Sequence, residues 1–390
     1  MTMNAAGRPD GEQRKRWIAD KGLLLIVSLL LCFGFIMIYS ASALEADEKY
    51  GNALHFTMRQ GVGAIAGCIC IVALQVFPMD LLKRYSGWIY LFGILGLLLV
   101  FTPLGYTAYG ASRWIRLGGI NVQSSEFAKI ALILLLARYL AENEGRLSDV
   151  VGVVIPALAI PVPVIFLLLA EPDFGTTVIT VGITGVMLFV AGLQWRWTFG
   201  FGAFLGALFS FIAILEPYRI RRFTSFFDPF KDPEGSGYQV IQGWIAMGSG
   251  GWWGQGIATG VAKRGGLPEA HNDFISAVVA EELGAWGWSL LIVFYIALIW
   301  RAYQISSQAN DLYGSLIGTA VTTMLSVQIV INLGVVVGWM PSKGLVLPFM
   351  SYGASAVVAY LICVGLLLRI SSETRVLLNE SGTRNGGIAP

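Results

Sequence analysis

"GLLLIVSLLLCFGFIMIYSASAL", residues 22–44, contains no Asp, Glu, Lys or Arg. A stretch of about 20 apolar residues is long enough to cross the hydrocarbon core of a bilayer as a helix. It also exceeds the roughly 7–15 residues of a signal-peptide core, so it reads as a retained first span behind a polar, basic tail. The rest of the chain has the same character. Of 390 residues, 56% are hydrophobic and only 13% charged, where a soluble domain is about a quarter charged. Mean hydropathy is +0.69. The composition predicts an all-α polytopic membrane protein, because a helix satisfies its own backbone hydrogen bonds in lipid.

About ten spans are expected, at roughly 22–44, 56–78, 86–104, 123–141, 150–170, 174–194, 197–215, 273–300, 312–338 and 349–369. Lys and Arg concentrate on the cytoplasmic side of short links. Arg8, Arg14, Lys15, Arg16 and Lys21 lie in the N-terminal tail, and Arg369, Arg375 and Arg384 follow the last span. Alternate links carry Lys83, Arg84, Arg138, Arg146, Arg196 and Arg301. Both termini are therefore expected in the cytoplasm. Tails 1–21 and 372–390 flank a transmembrane domain, 22–371. A large extracytoplasmic loop, 216–272, separates the seventh and eighth spans. Its Gly, Pro and aromatic content predicts a packed loop, with Trp244, Trp252 and Trp253 suited to the headgroup level.

A net charge of +2 provides no basic field for nucleic acid. The four cysteines lie in apolar stretches and read as small buried hydrophobes, not as a disulfide framework. The two histidines, His55 and His271, are far apart, so a His/Cys metal cluster has no support. Carboxylates could still hold a hard divalent cation.

Polar residues gather at the expected outer ends of spans. In "ASRWIRLGGINVQSSEFAKI", residues 111–130, Glu126 and Lys129 share one helix face. An ion at membrane depth faces a cavity or a partner, and a structural ion pair locking two spans is an equal alternative. In "EPDFGTT", residues 171–177, a tight turn joins two spans and Asp173 reads as a helix cap. In "LPEAHNDFISAVVAEELG", residues 267–284, Asn272 or Asp273 fits an N-cap and His271 reads as a packing residue. Glu281 and Glu282 lie two turns deeper, where a bare carboxylate is costly, so at least one is expected to reach an internal polar cavity. "PSKGLVLPFMSYGAS", residues 341–355, interrupts helix formation with Pro and Gly and includes Ser351. Non-helical backbone at membrane depth needs a covering of protein or water. A cavity opening outward is expected there.

The ordered set "RWIRLGG", "QSSEFAK", "EPDFGTT", "FFDPFKDPEGSGYQ", "LPEAHNDFISAVVAEELG" and "NLGVVVGWMPSKGLVLPFMSYGAS" resembles the SEDS (shape, elongation, division, sporulation) family of bacterial cell-wall proteins. No single motif is decisive; their order on about ten spans is specific. The resemblance implies a peptidoglycan glycosyltransferase that polymerises lipid II at the outer face of the cytoplasmic (inner) membrane. It implies that Asp273 is the essential aspartate and that Glu126 and Lys129 match the family's Glu/Lys pair. Asn272 stands where the family usually has Thr, Ser124 where it has Pro, and Ala354 where it has Gly. None of these departures removes an ionisable group. "PSKGLVLP" and "LPEAH" favour the division type (FtsW-like), whereas "IQGWIAMGSGGWWGQG" leans toward the elongation type (RodA-like).

An α-linked donor becoming a β-linked product implies inversion, with a base on the acceptor hydroxyl opposite the leaving pyrophosphate. Asp273 is the expected base. Lys129, Arg113 and Arg116 are expected to meet the pyrophosphate, with a divalent cation able to share the task. Glu126 would hold Lys129, and His271, Glu281 and Ser351 complete the expected substrate-binding set. The expected partners are lipid II, the growing lipid-linked strand, a class B penicillin-binding transpeptidase, and divisome or elongasome regulators. The competing readings are a lipid II flippase or transporter, which also needs polar cavities and broken helices, and a scaffold without chemistry.

Overall fold

The computed structural model describes residues 20–108, 111–117, 120–197, 200, 202, 203, 206, 226–235, 237–260, 267–341 and 344–385. The first span is α1, Lys21–Tyr50. Asp20 caps it by accepting from the Leu23 N–H at 2.9 Å, and Gly51, at φ 63°, ends it in the left-handed conformation that glycine adopts readily. The chain turns into α2, His55–Val76. Phe77-Pro78 then breaks the helix, because the residue before proline is pushed to extended backbone. α3, Met79–Leu99, follows.

The link after α3 forms a small antiparallel sheet, which the sequence reading did not anticipate. Strands β1 (Gly105–Ala108), β2 (Ala111–Leu117) and β3 (Ile120–Gln123) pair in the order β1-β2-β3. Trp114 pairs with Gln123 and Ile115 with Val122. Alternation in R-W-I-R turns Ile115 to the buried side and leaves Arg116 exposed. β3 runs directly into α4, Ser124–Glu142, whose side chains are mostly buried.

The fifth span, α5 (Val150–Ala170), is irregular. Its first turn is a π-turn over Val150–Val154, and Pro156, Pro161 and Pro163 interrupt the regular hydrogen bonding. α6, Phe174–Val190, returns after the Glu171-Pro172-Asp173 turn. The expected 197–215 span falls mostly outside the described residues. Within 216–272, the expected outer loop, lie a 3-10 turn, Pro229–Lys231, and a helix, α7 (Tyr238–Gly250). Then come α8 (Ile275–Ser307), α9 (Leu312–Val336) and α10 (Ala354–Asn385). Among the described residues, α1, α2, α5, α8, α9 and residues 354–374 of α10 are each long and apolar enough to cross a membrane.

Small residues let helices approach closely, the usual device where lipid offers no hydrophobic drive to associate. A Cβ on Gly63 of α2 would lie 2.5 Å from the Ala354 carbonyl of α10, and one on Gly67 would meet Leu361 at 2.4 Å. The faces of α2 turned away from α10 expose Val62, Ile65, Ile69 and Val76, as a lipid-facing surface should. One continuous apolar core runs from α1 through α4, α6, α8, α9 and α10. At one end of it Asp20 receives two hydrogen bonds from Arg301, at 2.9 and 2.5 Å, tying the start of α1 to α8. The other end, reached by the C-terminal turns of α1, holds most of the irregular backbone.

Candidate active site

Two segments without regular secondary structure meet at that second end: 267–274, which leads into α8, and 344–353, which leads into α10. Polar side chains from the surrounding helices fix them. The Asn332 amide of α9 donates to the Asp273 carbonyl at 2.9 Å and to the Leu345 carbonyl at 2.7 Å. Gln60 of α2 donates to the Ser351 carbonyl at 3.2 Å and accepts from the Gly353 N–H at 3.0 Å. Tyr295 donates to the Pro348 carbonyl at 2.8 Å. Ser351 accepts the Leu347 N–H at 2.8 Å, and the Tyr352 N–H reaches the His271 carbonyl at 2.9 Å. Backbone groups that a helix would have satisfied internally are met here by side chains. Leu347, Phe349, Met350 and Ser351 are buried, so it is protein that covers this loop. Sequence reasoning did not single out Asn332 or Gln60. Their signal was a lone amide inside an apolar span.

Asp273 is half-buried at this junction. A Cβ on Gly344 would stand 3.2 Å from its Oδ2, so the glycine packs close to the carboxylate. The expected cap is not formed: α8 begins at Ile275, with Phe274 at the cap position and no side-chain cap bond. A further turn over 271–274 places Asn272 and Asp273 ahead of the cap. Asn272 donates instead to Glu269 Oε2 at 2.6 Å.

His271 is buried as expected, its ring tilted against Phe56 at 4.5 Å and near Tyr352 at 5.7 Å. Its Nδ1 lies 3.6 Å from Glu45 Oε2 and its Nε2 3.7 Å from Glu269 Oε2. Burial pulls the imidazole below its ordinary pKa, against the opposing pull of Glu269 and Glu45. The residue therefore links the end of α1 to the Asp273 segment.

The remaining predicted residues separate into other environments. Glu126 and Lys129 form an ion pair at 2.9 Å with 2% and 0% side-chain exposure. Tyr360 and Cys363 of α10 lie beside it, and Gln328 of α9 donates to the Tyr360 hydroxyl at 3.0 Å. In this structure the pair is sealed among helices. Arg113 of β2 donates to the Pro172 carbonyl at 2.7 Å. Arg116 is exposed, with its guanidinium 5.0 Å from the Tyr106 ring. Asp173 caps α6 as expected, accepting from the Thr176 N–H at 3.2 Å and the Thr176 hydroxyl at 2.8 Å.

Glu281 and Glu282 are both buried, and they immediately precede a break. Gly284 holds φ 68° and ψ −168° inside α8. The carbonyls of Glu281 and Glu282 accept the N–H groups of Gln255 and Gly256 at 2.9 Å each. The Glu282 carboxylate accepts from Ser40 of α1 at 2.6 Å, and the Glu281 carboxylate lies against Gly260 of the outer loop. The loop is thus docked into the interrupted helix at Gln255 and Gly256. Among the described residues, no three His, Cys, Asp or Glu side chains converge as a metal site.

These features define a class: a multi-pass membrane protein whose polar machinery gathers at one end of a helical bundle, on broken helices and buried loops. Residues 21–376 match the FtsW/RodA/SpoVE family, described as cell cycle protein, and the chain belongs to it. A protein from Halothiobacillus neapolitanus named probable peptidoglycan glycosyltransferase FtsW is 39% identical, with 92% of this chain and 87% of that one aligned. The Bacillus subtilis stage V sporulation protein E is 37% identical, over 93% and 99% of the two chains. Among solved structures, a chain from work on structural coordination of polymerization and crosslinking by a peptidoglycan synthase complex superimposes with TM-score 0.76. It is 31% identical, covering 92% of this chain and 99% of that one. The Thermus thermophilus rod shape determining protein RodA gives a TM-score of 0.68 at 28% identity, covering 92% and 98%.

Proposed function

We propose that this chain is a peptidoglycan glycosyltransferase that polymerises lipid II into glycan strands at the outer face of the cytoplasmic membrane. The relatives named probable peptidoglycan glycosyltransferase FtsW support that activity, and we assign it to septal wall synthesis at division. The site end of the bundle faces outward, and both termini lie in the cytoplasm. The observation that carries the reading is Asp273: a half-buried carboxylate beside Gly344, on a segment clamped by Asn332.

Asp273 acts as the general base. It takes the proton of the acceptor sugar hydroxyl as that oxygen attacks the anomeric carbon, and the diphosphate leaves from the opposite face with the bonding electrons, giving inversion. A divalent cation, if used, would be shared with the diphosphate. Arg113 and Arg116, both on β2, are the cations assigned to the diphosphate, while Lys129 and Glu126 brace α4. A class B penicillin-binding transpeptidase is the partner that would crosslink the strand; the structural neighbour from a synthase complex supports such a pairing.

Asp273→Asn preserves shape but cannot accept the proton. Purified full-length Asp273→Asn is expected to polymerise lipid II about 10²–10⁴-fold more slowly than wild type, with a similar melting temperature because Asp273 is not the α8 cap residue. Wild-type rates from this variant would sink the assignment. The transporter reading is less well supported, because the break in α8 is filled by the loop at Gln255 and Gly256 rather than left open to a substrate.

A further inference from the structure

The turn between α5 and α6 carries a carboxyl that the scheme above does not use. Glu171 is 1% exposed. Neither of its carboxyl oxygens has a hydrogen-bond partner among the described residues. Asp173, two residues on, is occupied as the cap of α6. Among the described residues, Arg113 is the cation that acts on Glu171, and no ion pair joins the two. Arg113 spends Nη2 on the Pro172 carbonyl, and its Nε, also buried, has no partner among the described residues. Buried polar groups are normally satisfied, so unmet capacity on two adjacent groups points to a missing third party.

Burial first, then the Asp173 charge from α6, raise the Glu171 carboxyl to about 8 against the opposing pull of Arg113 from β2. At neutral pH Glu171 therefore carries an O–H. Both groups are then donors, which suits a ligand made of acceptors. The turn also lies close to Asp273. Gly175 packs on Leu345, where a Cβ would come within 3.3 Å of the leucine. The Leu345 carbonyl shares the Asn332 amide with the Asp273 carbonyl.

Building on the glycosyltransferase reading, we propose that Glu171 and Arg113 together form the subsite for the diphosphate of the lipid-linked donor, each donating one hydrogen bond to it. No proton is transferred; the diphosphate departs with the electrons of the broken anomeric bond, and the two donors stabilise its charge. Above about pH 8, Glu171 becomes an anion that repels the diphosphate and competes for Arg113.

The test uses full-length protein, lipid II polymerisation kinetics from pH 6 to 9.5, and direct binding of inorganic pyrophosphate by calorimetry. Glu171→Gln keeps a neutral donor at every pH. It is expected to be less impaired at pH 7 than Glu171→Ala and to lose the rise in KM above about pH 8. Glu171→Ala and Arg113→Gln are each expected to weaken pyrophosphate binding about tenfold. A Glu171→Gln variant as impaired as Glu171→Ala, or one retaining the wild-type alkaline limb, would overturn the proposal. So would pyrophosphate affinity that none of these variants changes. If wild type binds pyrophosphate with the expected variant pattern but polymerises nothing, the subsite stands and the glycosyltransferase reading fails.

Discussion

Lys129 shows how much of this protein rests on single buried charges. Its ammonium has 0% exposure and one carboxylate partner, Glu126, at 2.9 Å. Removing one member of such a pair leaves an uncompensated ion in low dielectric, which costs about 3–5 kcal/mol, whereas replacing both with apolar or neutral groups is often nearly neutral. Lys129→Met is therefore expected to lower stability by about that amount, and the Glu126→Gln/Lys129→Met double variant to recover most of it. Chemical unfolding in detergent measures both. Equal losses in the single and double variants would mean that the pair does not act as a unit. The spacing of Glu126 and Lys129 put them on one helix face but left cavity and structural pair as equal alternatives. The packing of α4 against α9 and α10 decided for burial, and that is set by residues some 200 positions away, such as Gln328 and Tyr360. Asp273 shows the converse. A cap residue was a sound local reading, and one additional turn of backbone displaced it.

At the scale of elements, the interruption of α8 organises the outer loop. Gly284 occupies a region of backbone space open essentially to glycine alone, and a Cβ there would lie 2.4 Å from the Gly254 nitrogen. The carbonyls freed by the break are taken by Gln255 and Gly256. Gly284→Ala is expected to destabilise by about 1–3 kcal/mol or more, with faster proteolysis across 250–260. Gly182→Ala, a helical site with open space around it, should be neutral or slightly stabilising. Limited proteolysis and thermal unfolding of the two variants side by side check this; matching behaviour would remove the hinge between loop and helix. The residues 273–300 read as one uninterrupted helix in sequence because an isolated glycine in a helical pattern does not by itself mark a break. The small sheet at 105–123 was missed for a related reason. Its strands are 4 to 7 residues long, too short for alternation to stand out beside long apolar spans.

For the whole molecule, the charge bias predicts that both termini face the cytoplasm and the outer loop faces the other side. A reporter active only in the cytoplasm, fused at either terminus, should be active. A cysteine at Glu234, exposed in the outer loop, should react with a membrane-impermeant thiol reagent in intact cells. Inactive fusions or a protected cysteine would reverse the topology and place the site on the wrong face for lipid II polymerisation. The sequence by itself determined that this chain is a bundle of membrane helices, where most of those helices lie and which motifs carry ionisable groups. Composition and run length are local properties, and lipid imposes the same demand on every span. Only the tertiary structure decided which of those groups are sealed and which stay partly exposed. It sealed Lys129 against Glu126, placed Asp273 beside Gly344, and left Glu171 buried next to Arg113. The free energy of an ionisable group depends on its neighbours in space, and here those neighbours come from distant parts of the chain.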